Sequence, residues 1–375
     1  MSGSNSVKYI QNILVGPQED KPGIITLGLH EHTKSKTLDQ PLFAPVARLD
    51  QPPGYVKVGQ EEKVYKLKKA LYGLKQAPRA WYSHIEAYFL KNGFHKCPYE
   101  YTLFVRFEGR GKMLIVCLYV DDLIYTSNDE VMIEEFKKSM MSEFEMSDLG
   151  LMHYFLGIEV EQSSSGIFIS QKKYTREILK RFQMDRCSPV RTPAETSLKL
   201  VKNTEGKGVD DILYKQLVGS LMYLTATRRD IMLAVSLISR FMENPKRMHL
   251  MATKRILRYL QGTKEYGIFY KKGEKSDLIG FTDSDYTGDQ DDRKSTYSYV
   301  FMFGSGAVSW SSRKQPIVTL STTEAEFVLR ELTKGKSEDQ VADLFTKPLK
   351  LAAFQKLRVL LGVCTLEATV QGNVF

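Results

Sequence analysis

Two adjacent acidic residues, Asp121 and Asp122, lie between two apolar segments and constrain this sequence more than any other feature. The apolar segments are residues 113–120 and 123–125. Short runs of β-branched and aromatic residues on both sides of a polar pair predict a β-hairpin whose turn carries the acids. Paired carboxylates at such a turn can hold divalent metal ions for phosphoryl or nucleotidyl transfer. Aspartate is also an ordinary turn residue, so the hairpin alone leaves a purely structural role open.

The composition is that of a folded protein with a basic surplus. The chain has 375 residues, of which 42% are hydrophobic and 11% aromatic, and its formal charge is +9. This length suits two or three domains, and this apolar content excludes a disordered composition. The basic surplus favours a polyanionic partner, although a modest surplus also occurs in proteins without one.

The cysteines and the apolar runs bear on the cellular compartment. The four cysteines are too scattered for a disulfide framework or a structural zinc site: Cys97, Cys117, Cys187 and Cys364. No apolar run is long enough for a membrane span, and the first residues lack the pattern of a signal peptide. We therefore expect an intracellular protein of the cytoplasm or nucleus, with no membrane partner. The oligomeric state is left open by the sequence.

The first 50 residues carry few signals. Only residues 24–27 have the composition of a strand. His30-Glu-His32 could bind a metal ion, but a lone His-x-His is also typical of a solvated loop.

Basic and aromatic residues alternate between positions 63 and 91. This stretch has seven basic residues and one acid, with Tyr65, Tyr72, Trp81 and Tyr82 between them. Such a mixture is typical of a nucleic-acid surface. A solvated helix face with a packed aromatic stripe explains the same residues equally well. The pattern from Tyr65 to Phe94 is helical around one break, and Ala77-Pro78 marks the start of the main helix.

The rest of the chain predicts alternating helices and hairpins, then a group of strands. In the middle, the patterns indicate an amphipathic helix at 129–146, a hairpin at 153–169, a basic helix at 174–184, a polar linker at 186–213 and several helices up to 260. In the last third we expect strands at 278–283, 297–303, 306–310 and 317–320. Ser321 then caps a helix, with Glu324 as its capping-box partner. Strands followed by a helix favour an α+β arrangement.

Seven motifs together resemble one known family. Residues 43–349 resemble the reverse transcriptase–RNase H part of a copia-type LTR retrotransposon polyprotein. The motifs that carry the resemblance are Phe43-Ala-Pro-Val-Ala-Arg-Leu49, Leu71-Tyr-Gly-Leu-Lys-Gln-Ala-Pro-Arg-Ala-Trp81, Tyr119-Val-Asp-Asp122, Tyr154-Phe-Leu-Gly-Ile-Glu159, Thr282-Asp-Ser-Asp285, Leu320-Ser-Thr-Thr-Glu-Ala-Glu-Phe327 and Val341-Ala-Asp-Leu-Phe-Thr-Lys-Pro-Leu349.

The resemblance implies an α+β fold with an incomplete right-hand polymerase palm and thumb, followed by a truncated RNase H-like βββα unit. The implied divisions are an unassigned segment at 1–42, a partial reverse transcriptase with a fingers remnant, palm and thumb at 43–200, a helical connection at 201–275, the truncated RNase H-like domain at 276–349 and a tail at 350–375.

The resemblance also implies roles for particular residues. The catalytic and metal-binding acids would be Asp121, Asp122, Asp283 and Glu326. Tyr72, Gly73 and Gln76 would face the nucleotide. Contacts to nucleic acid would come from Lys66, Lys68, Lys69, Lys75, Arg79, Gly157, Lys172 and Lys173. The partners would be an RNA or DNA template–primer or an RNA–DNA hybrid, with a dNTP and Mg²⁺ or Mn²⁺ if the chain is active.

Departures from the family pattern limit these implications. The family takes a third palm carboxylate from a stretch such as Asp-Val-Lys-Thr-Ala-Phe, which is absent here, and Asp50 is the nearest substitute. Two of the four RNase H acids also lack a matching context, although other acids remain: Asp285, Asp289, Asp339 and Asp343. We therefore expect a catalytically defective reverse transcriptase with an RNase H remnant that keeps affinity for nucleic acid.

Three alternatives stay open. The chain could be an active Mg²⁺-dependent RNA-directed DNA polymerase with an unrecognised third acid. It could be a non-enzymatic interaction domain adopted by the host. It could also be partly unfolded, because loss of a central palm strand exposes sheet edges.

Overall fold

The computed structural model describes residues 24–29, 48–49, 56–63, 65–66, 77–109, 111–144, 146–196, 199–202, 207–273, 277–327 and 340–370. The contacts divide the chain into a first unit, Pro17–Met152, and a second unit that contains His153–Phe375. Both units mix helices and strands, in agreement with the mixed α and β composition that the sequence predicts. Among the described residues, no helix is both long enough and apolar enough to cross a membrane.

The first unit is built on an antiparallel six-stranded sheet in the order β4-β5-β6-β7-β1-β8. Its strands are β1 (Ile25–Leu29), β4 (His95–Lys96), β5 (Leu103–Glu108), β6 (Lys112–Tyr119), β7 (Asp122–Ser127) and β8 (Met146–Leu151). A separate ribbon pairs β2 (Arg48–Leu49) with β3 (Tyr65–Lys66). The hairpin predicted around the two aspartates is confirmed as β6 and β7. The helical pattern predicted from Tyr65 is wrong at its start, because Tyr65 lies in β3.

Two helices pack against this sheet. Helix α1 (Ala77–Lys91) begins at the predicted Ala-Pro pair, where proline's missing N–H removes no helical hydrogen bond. Helix α2 (Glu130–Phe144) follows Asp129, whose carboxylate accepts the N–H of Met132 at 3.0 Å. Val131, an apolar residue in the first turn of α2, is 61% exposed. The shared core includes the fully buried side chains of Ile85, Phe89, Phe104, Leu114, Val116, Leu123, Tyr125 and Met140.

Strand β1 lies inside the sheet rather than at its edge. It pairs with β7 on one side and with β8 on the other, and Leu27 is fully buried in the core. The strand predicted at residues 24–27 is therefore confirmed. The expectation that a missing central strand leaves exposed sheet edges is wrong at this position, because β1 supplies backbone partners to both neighbours.

The second unit contains a five-stranded sheet in the order β16-β12-β11-β10-β9. Its strands are β9 (Tyr154–Phe155), β10 (Ile158–Ser163), β11 (Gly166–Ser170), β12 (Tyr266–Lys271) and β16 (Val363–Thr365). The hairpin predicted at 153–169 is confirmed as β10 and β11. Residues in the predicted tail contribute β16 and two helices, α8 (Leu351–Leu360) and α9 (Leu366–Val370).

Four α-helices of the described chain lie between β11 and β12 in the same unit. They are α3 (Lys172–Arg181), α4 (Asp211–Leu224), α5 (Met232–Ser239) and α6 (Arg247–Gln261). The basic helix predicted from Tyr174 thus begins two residues earlier, at Lys172. Asp210 caps α4, because its carboxylate accepts the N–H of Ile212 at 2.9 Å and that of Leu213 at 3.2 Å.

A three-stranded antiparallel sheet completes the second unit. Strands β13 (Leu278–Ser284), β14 (Thr296–Phe303) and β15 (Gly306–Lys314) confirm three of the four strands predicted there. The strand predicted at 317–320 is wrong: these residues are not in a strand, and Leu320 is 86% exposed. Helix α7 (Thr322–Phe327) then begins as predicted, with the Ser321 hydroxyl accepting the N–H of Glu324 at 3.1 Å. The Glu324 carboxylate accepts the N–H of Leu320, one residue before the cap, at 2.6 Å.

A buried ion pair joins the short segment after α4 to α6 and to the turn that follows α6. The side chains of Arg228 and Asp230 are 1% and 0% exposed, and their charged atoms are 2.7 Å apart. Tyr259 of α6 donates its hydroxyl to the same carboxylate at 2.5 Å, and Arg228 also donates to the carbonyl oxygen of Thr263 at 2.7 Å. Burial raises the pKa of Asp230, but the charge of Arg228 outweighs this effect and the net pKa is lowered. Both charges are therefore compensated inside the protein.

The neighbouring Arg229 is also fully buried and connects three further elements. It donates to the Leu361 carbonyl oxygen at 3.1 Å and to the Tyr270 hydroxyl at 2.6 Å. Its guanidinium carbon lies 4.1 Å from the centre of the Trp310 ring. The short segment that carries both arginines thus contacts β12, β15 and the end of α8.

Replacing Asp230 by asparagine is expected to destabilise the second unit strongly. The change leaves the Arg228 charge buried without its counter-charge, which costs about 3–5 kcal/mol. Urea unfolding followed by circular dichroism measures the loss. The control is Glu265→Gln, which breaks an ion pair with Arg176 whose side chains are 53% and 52% exposed, and there we expect little change. Equal losses in the two variants would contradict a structural role for the buried pair.

Candidate functional site

The two aspartates of the hairpin lie at and beside a two-residue turn. Tyr119 pairs with Asp122, so Val120 and Asp121 form the loop. Val120 has φ of +56°, a conformation in which a β-branched residue is strained by about 1–3 kcal/mol. A positive φ at the first loop residue is the geometry of a type II′ turn, which normally places glycine there. Val120 therefore keeps a backbone conformation that a β-branched residue disfavours. Contacts with neighbouring residues are needed to stabilise the turn.

Trp81 of α1 supplies part of that support. Its indole N–H donates to the Val120 carbonyl oxygen at 2.6 Å. The indole ring also meets the Phe144 ring edge-on, with centroids 5.4 Å apart. Since Phe144 ends α2, both helices of the first unit help to position the turn.

Strand β1 extends towards the same turn. Between β1 and β7 the register is Ile25↔Tyr125, Thr26↔Ile124 and Leu27↔Leu123. The last observed pair is Leu27↔Leu123; if the antiparallel register continues, position 28 lies opposite Asp122 and position 29 opposite Asp121. The sequence of β1 is Ile-Thr-Leu-Gly-Leu, which contains no acid.

The hairpin thus contributes two half-buried carboxylates, Asp121 and Asp122. Across the described parts of the chain, no group of three or more His, Cys, Asp or Glu side chains could hold a metal ion. Two metal ions held for phosphoryl transfer need several oxygen ligands, so these acids alone do not fit that task. His30-Glu-His32 and Asp50 lie outside the described residues.

The three residues predicted to face the nucleotide, Tyr72, Gly73 and Gln76, lie outside the described residues. Three of the predicted nucleic-acid contacts, Lys68, Lys69 and Lys75, also lie outside them. The backbone of Lys66 lies in β3. Arg79 is exposed in the first turn of α1, on the helix that carries Trp81. Their predicted contacts with nucleotide or nucleic acid stay predictions.

Gly157, predicted to contact nucleic acid, lies in the turn between β9 and β10. Leu156 and Gly157 form the loop between the paired residues Phe155 and Ile158, with φ of +50° and +77°. Positive φ at both loop positions defines a type I′ turn. A Cβ atom at position 157 would also lie 3.0 Å from the Tyr223 hydroxyl oxygen. The positive φ favours glycine here, and the predicted contact of Gly157 with nucleic acid stays a prediction.

Glu159, in the same predicted motif, anchors the start of α3. Its carboxylate accepts the N–H of Lys172 at 2.9 Å and the N–H of Lys173 at 3.3 Å. A carboxylate at a helix N-terminus satisfies free N–H groups and complements the helix dipole. The motif therefore fixes the direction of the basic helix.

One face of α3 carries exposed basic side chains. Lys173, Arg176 and Lys180 are exposed and lie at spacings of three and four residues, which puts them on one side of the helix. We call these three residues the α3 basic face. Lys172, by contrast, is half-buried and paired with Glu161 at 2.9 Å. Of the two lysines predicted on α3, Lys173 is thus the one presented to solvent.

The two acids predicted in the last third lie on neighbouring elements. Asp283 lies in β13 with its side chain 13% exposed. Glu326 is exposed on α7, a helix that contacts β13. The acid next to Asp283 is Asp343, from a short 3-10 helix, Val341–Phe345. Burial raises the pKa of Asp343, and the negative charge of Asp283 raises it further.

Asp343 was therefore missed as a site residue by sequence reasoning. It belongs to the closing motif Val341-Ala-Asp-Leu-Phe-Thr-Lys-Pro-Leu349, so the motif itself was a usable signal. Asp285 is also half-buried, and burial raises its pKa while the N–H of Thr296 donates to it at 2.5 Å. Asp289 pairs with Arg240 at 3.1 Å and with Lys314 at 2.9 Å, which is a structural role.

Comparison with known proteins agrees with these motifs. Residues 35–196 match the family described as reverse transcriptase (RNA-dependent DNA polymerase). The chain is 42% identical over 301 residues to the retrovirus-related Pol polyprotein from transposon RE1 of Arabidopsis thaliana, covering 80% of this chain and 20% of that protein. It is 32% identical to the putative transposon Ty5-1 protein of Saccharomyces cerevisiae, covering 78% of this chain and 94% of that protein. An uncharacterised mitochondrial protein of Arabidopsis thaliana is 37% identical, with coverages of 60% and 92%. The chain thus spans about a fifth of the length of the Pol polyprotein it matches.

Replacing Trp81 by phenylalanine is expected to loosen the turn at Val120. The variant keeps an aromatic ring but loses the indole N–H, and a hydrogen bond of this kind contributes about 1 kcal/mol. Hydrogen exchange followed by mass spectrometry is expected to show faster exchange in peptides covering residues 119–122.

The matched control is Tyr88→Phe, two turns along the same helix. The Tyr88 hydroxyl shares a hydrogen bond with the Ser139 hydroxyl of α2, away from the turn. Faster exchange at residues 119–122 in both variants would mean that Trp81 has no specific role there.

Proposed function

This chain belongs to the copia-type reverse transcriptase family of retrotransposon Pol proteins, and we propose that it binds nucleic acid without an efficient polymerase reaction. The chain corresponds to a partial reverse transcriptase with an incomplete palm and thumb, followed by a truncated RNase H-like unit. Its partners are an RNA or DNA template–primer or an RNA–DNA hybrid. The observation that carries the proposal is the two-carboxylate hairpin beside an acid-free strand.

The loss of polymerase chemistry follows from ligand number. Reverse transcriptases use divalent metal ions, and two ions about 3.5–4 Å apart must be clamped by several oxygen atoms. Asp121 and Asp122 are sequence neighbours whose directions differ, so they cannot substitute for a carboxylate on the adjacent strand. Position 29, where the register would place such a group, carries leucine. The residues that the structure describes therefore do not fit the two-ion centre.

Binding of nucleic acid requires fewer specific groups than the polymerase reaction does. Phosphate contacts need positive charge on a firm support but no catalytic acid. The α3 basic face meets that need: its side chains are exposed, and Glu159 ties the helix start to β10. Arg176 also pairs with Glu265 at 2.6 Å, a contact between two half-exposed side chains that a phosphate can replace. The net charge of +9 adds attraction at longer range.

Truncation of the α3 basic face is expected to weaken binding and reduce its dependence on salt. Each phosphate contact contributes about −0.9 to the slope of log affinity against log salt concentration for duplex DNA. The variant Lys173→Ala, Arg176→Ala, Lys180→Ala should therefore lower the slope by up to about 3, as measured by fluorescence anisotropy on a hybrid duplex.

The control for this prediction removes three other exposed lysines, Lys199, Lys207 and Lys215. Their loss changes the net charge by the same amount away from α3. An equal effect of the two triple variants would indicate non-specific charge attraction, and binding without salt dependence would contradict the proposal.

Introduction of a carboxylate at position 29 is expected to create a stronger metal site at the hairpin. The unmodified chain should extend no primer on an RNA template with Mg²⁺ or Mn²⁺. In Leu29→Asp, the additional carboxylate should tighten Mn²⁺ binding by roughly tenfold, because charge count sets the affinity of oxygen-ligand sites. Electron paramagnetic resonance of free Mn²⁺ measures this change.

Leu149→Asp is the control, since it adds the same charge to an exposed position of the neighbouring strand β8. Equal Mn²⁺ affinity in the two variants would argue against the register at position 29. Primer extension by the unmodified chain that disappears in Asp121→Asn would instead establish the alternative of an active polymerase.

A further inference from the structure

A lysine lies beside the acid pair formed by Asp283 and Asp343. Its ammonium nitrogen is 3.0 Å from Oδ1 of Asp343 and 3.9 Å from Oδ2 of Asp283. This lysine, Lys347, follows Asp343 by four residues, so one turn of the chain fixes their distance. Thr346 adds a hydrogen bond from its hydroxyl to Oδ2 of Asp283. The polar atoms of the cluster therefore come from β13 and from one adjacent turn.

Lys347 places a positive charge beside a partly buried acid pair. The side chains of Asp283 and Asp343 are 13% and 27% exposed, so water compensates their charges only in part, whereas the Lys347 side chain is 49% exposed. The ammonium group stabilises two neighbouring carboxylates that would otherwise repel each other.

A divalent ion does not fit this arrangement. Mg²⁺ and Mn²⁺ require a shell of oxygen ligands, and the described residues offer no cluster of three suitable side chains here. An ion between the two carboxylates would also lie within about 4 Å of the ammonium group, where like charges repel strongly. The lysine therefore holds the position in which a metal ion would compensate the acids.

We infer that Lys347 is an internal counter-ion for Asp283 and Asp343 and that it excludes divalent cations from this acid pair. The inference rests on the proposed function only in treating residues 276–349 as the remnant of a metal-dependent unit. It adds a reason for inactivity beyond missing acids: part of the negative charge of Asp283 and Asp343 is already compensated by the protein.

Manganese binding to the full chain tests this inference directly. The parent protein carries Asp121→Asn and Asp122→Asn, so that the hairpin acids do not contribute, and free Mn²⁺ is measured by electron paramagnetic resonance. We expect Lys347→Met to lower the Mn²⁺ dissociation constant by roughly tenfold or more, because it removes a like charge within about 4 Å of the ion. Adding Asp283→Asn to this variant should abolish the gain.

The matched control is Lys350→Met, which removes the same charge just before α8. An equal gain in this control would assign the effect to net charge and overturn the inference. Circular dichroism and thermal unfolding establish that each variant is folded. If Lys347→Met is not folded, Lys347→Gln provides the same loss of charge with a polar side chain of similar length.

A parent protein that already binds Mn²⁺ as tightly as Lys347→Met, in a manner that Asp283→Asn removes, would also overturn the inference. The measurement contains no nucleic acid. A failure here is therefore distinguishable from a failure of the proposed nucleic-acid binding.

Discussion

The second unit depends on the neutralisation of charge inside its core. Arg228 and Asp230 are removed from water at a cost of several kcal/mol for each ion, and only their mutual contact and further hydrogen bonds offset that cost. The partners come from separated parts of the chain, including Tyr259, Thr263 and Arg358. The core is therefore satisfied only when α6 and α8 are both in place. A purely apolar core tolerates partial packing, whereas this arrangement links the correct position of each element to that of the others.

In the first unit, by contrast, the residues that complete the sheet differ from those that metal binding requires. A central strand needs apolar side chains on its buried face and free backbone groups on both edges. Ile25 and Leu27 meet that need between β7 and β8. Metal binding needs a carboxylate at one defined position, and no general property of a strand supplies it. A short apolar segment can thus complete a sheet without restoring the chemistry that a family associates with that sheet.

The sequence predicts elements whose signals are local. The hairpin at Asp121 follows from two flanking apolar runs, and the start of α1 follows from the proline at position 78. The apolar run at 317–320 misleads because β-branched residues indicate a strand only where a neighbouring strand can pair with them.

Features that depend on distant contacts could not be predicted in the same way. The order β7-β1-β8 requires knowledge of which edge a short strand joins. The closing motif marks Asp343 as a candidate, but its proximity to Asp283 is seen only in the structure, because spacing along the chain gives no sign of that contact. The charged residues Arg228 and Arg229 would ordinarily be placed on the surface, and only their partners explain their burial.

The position of β16 in the five-stranded sheet has a consequence for synthesis of the protein. β16 pairs with β12, and the Leu361 carbonyl oxygen just before it accepts a bond from Arg229. Since ribosomes add about 5–20 residues per second, β12 and Arg229 leave the ribosome seconds before these partners exist. During that interval the nascent chain presents an open sheet edge, which favours aggregation. Translation that stops before residue 361 would leave this edge of β12 without its partner strand.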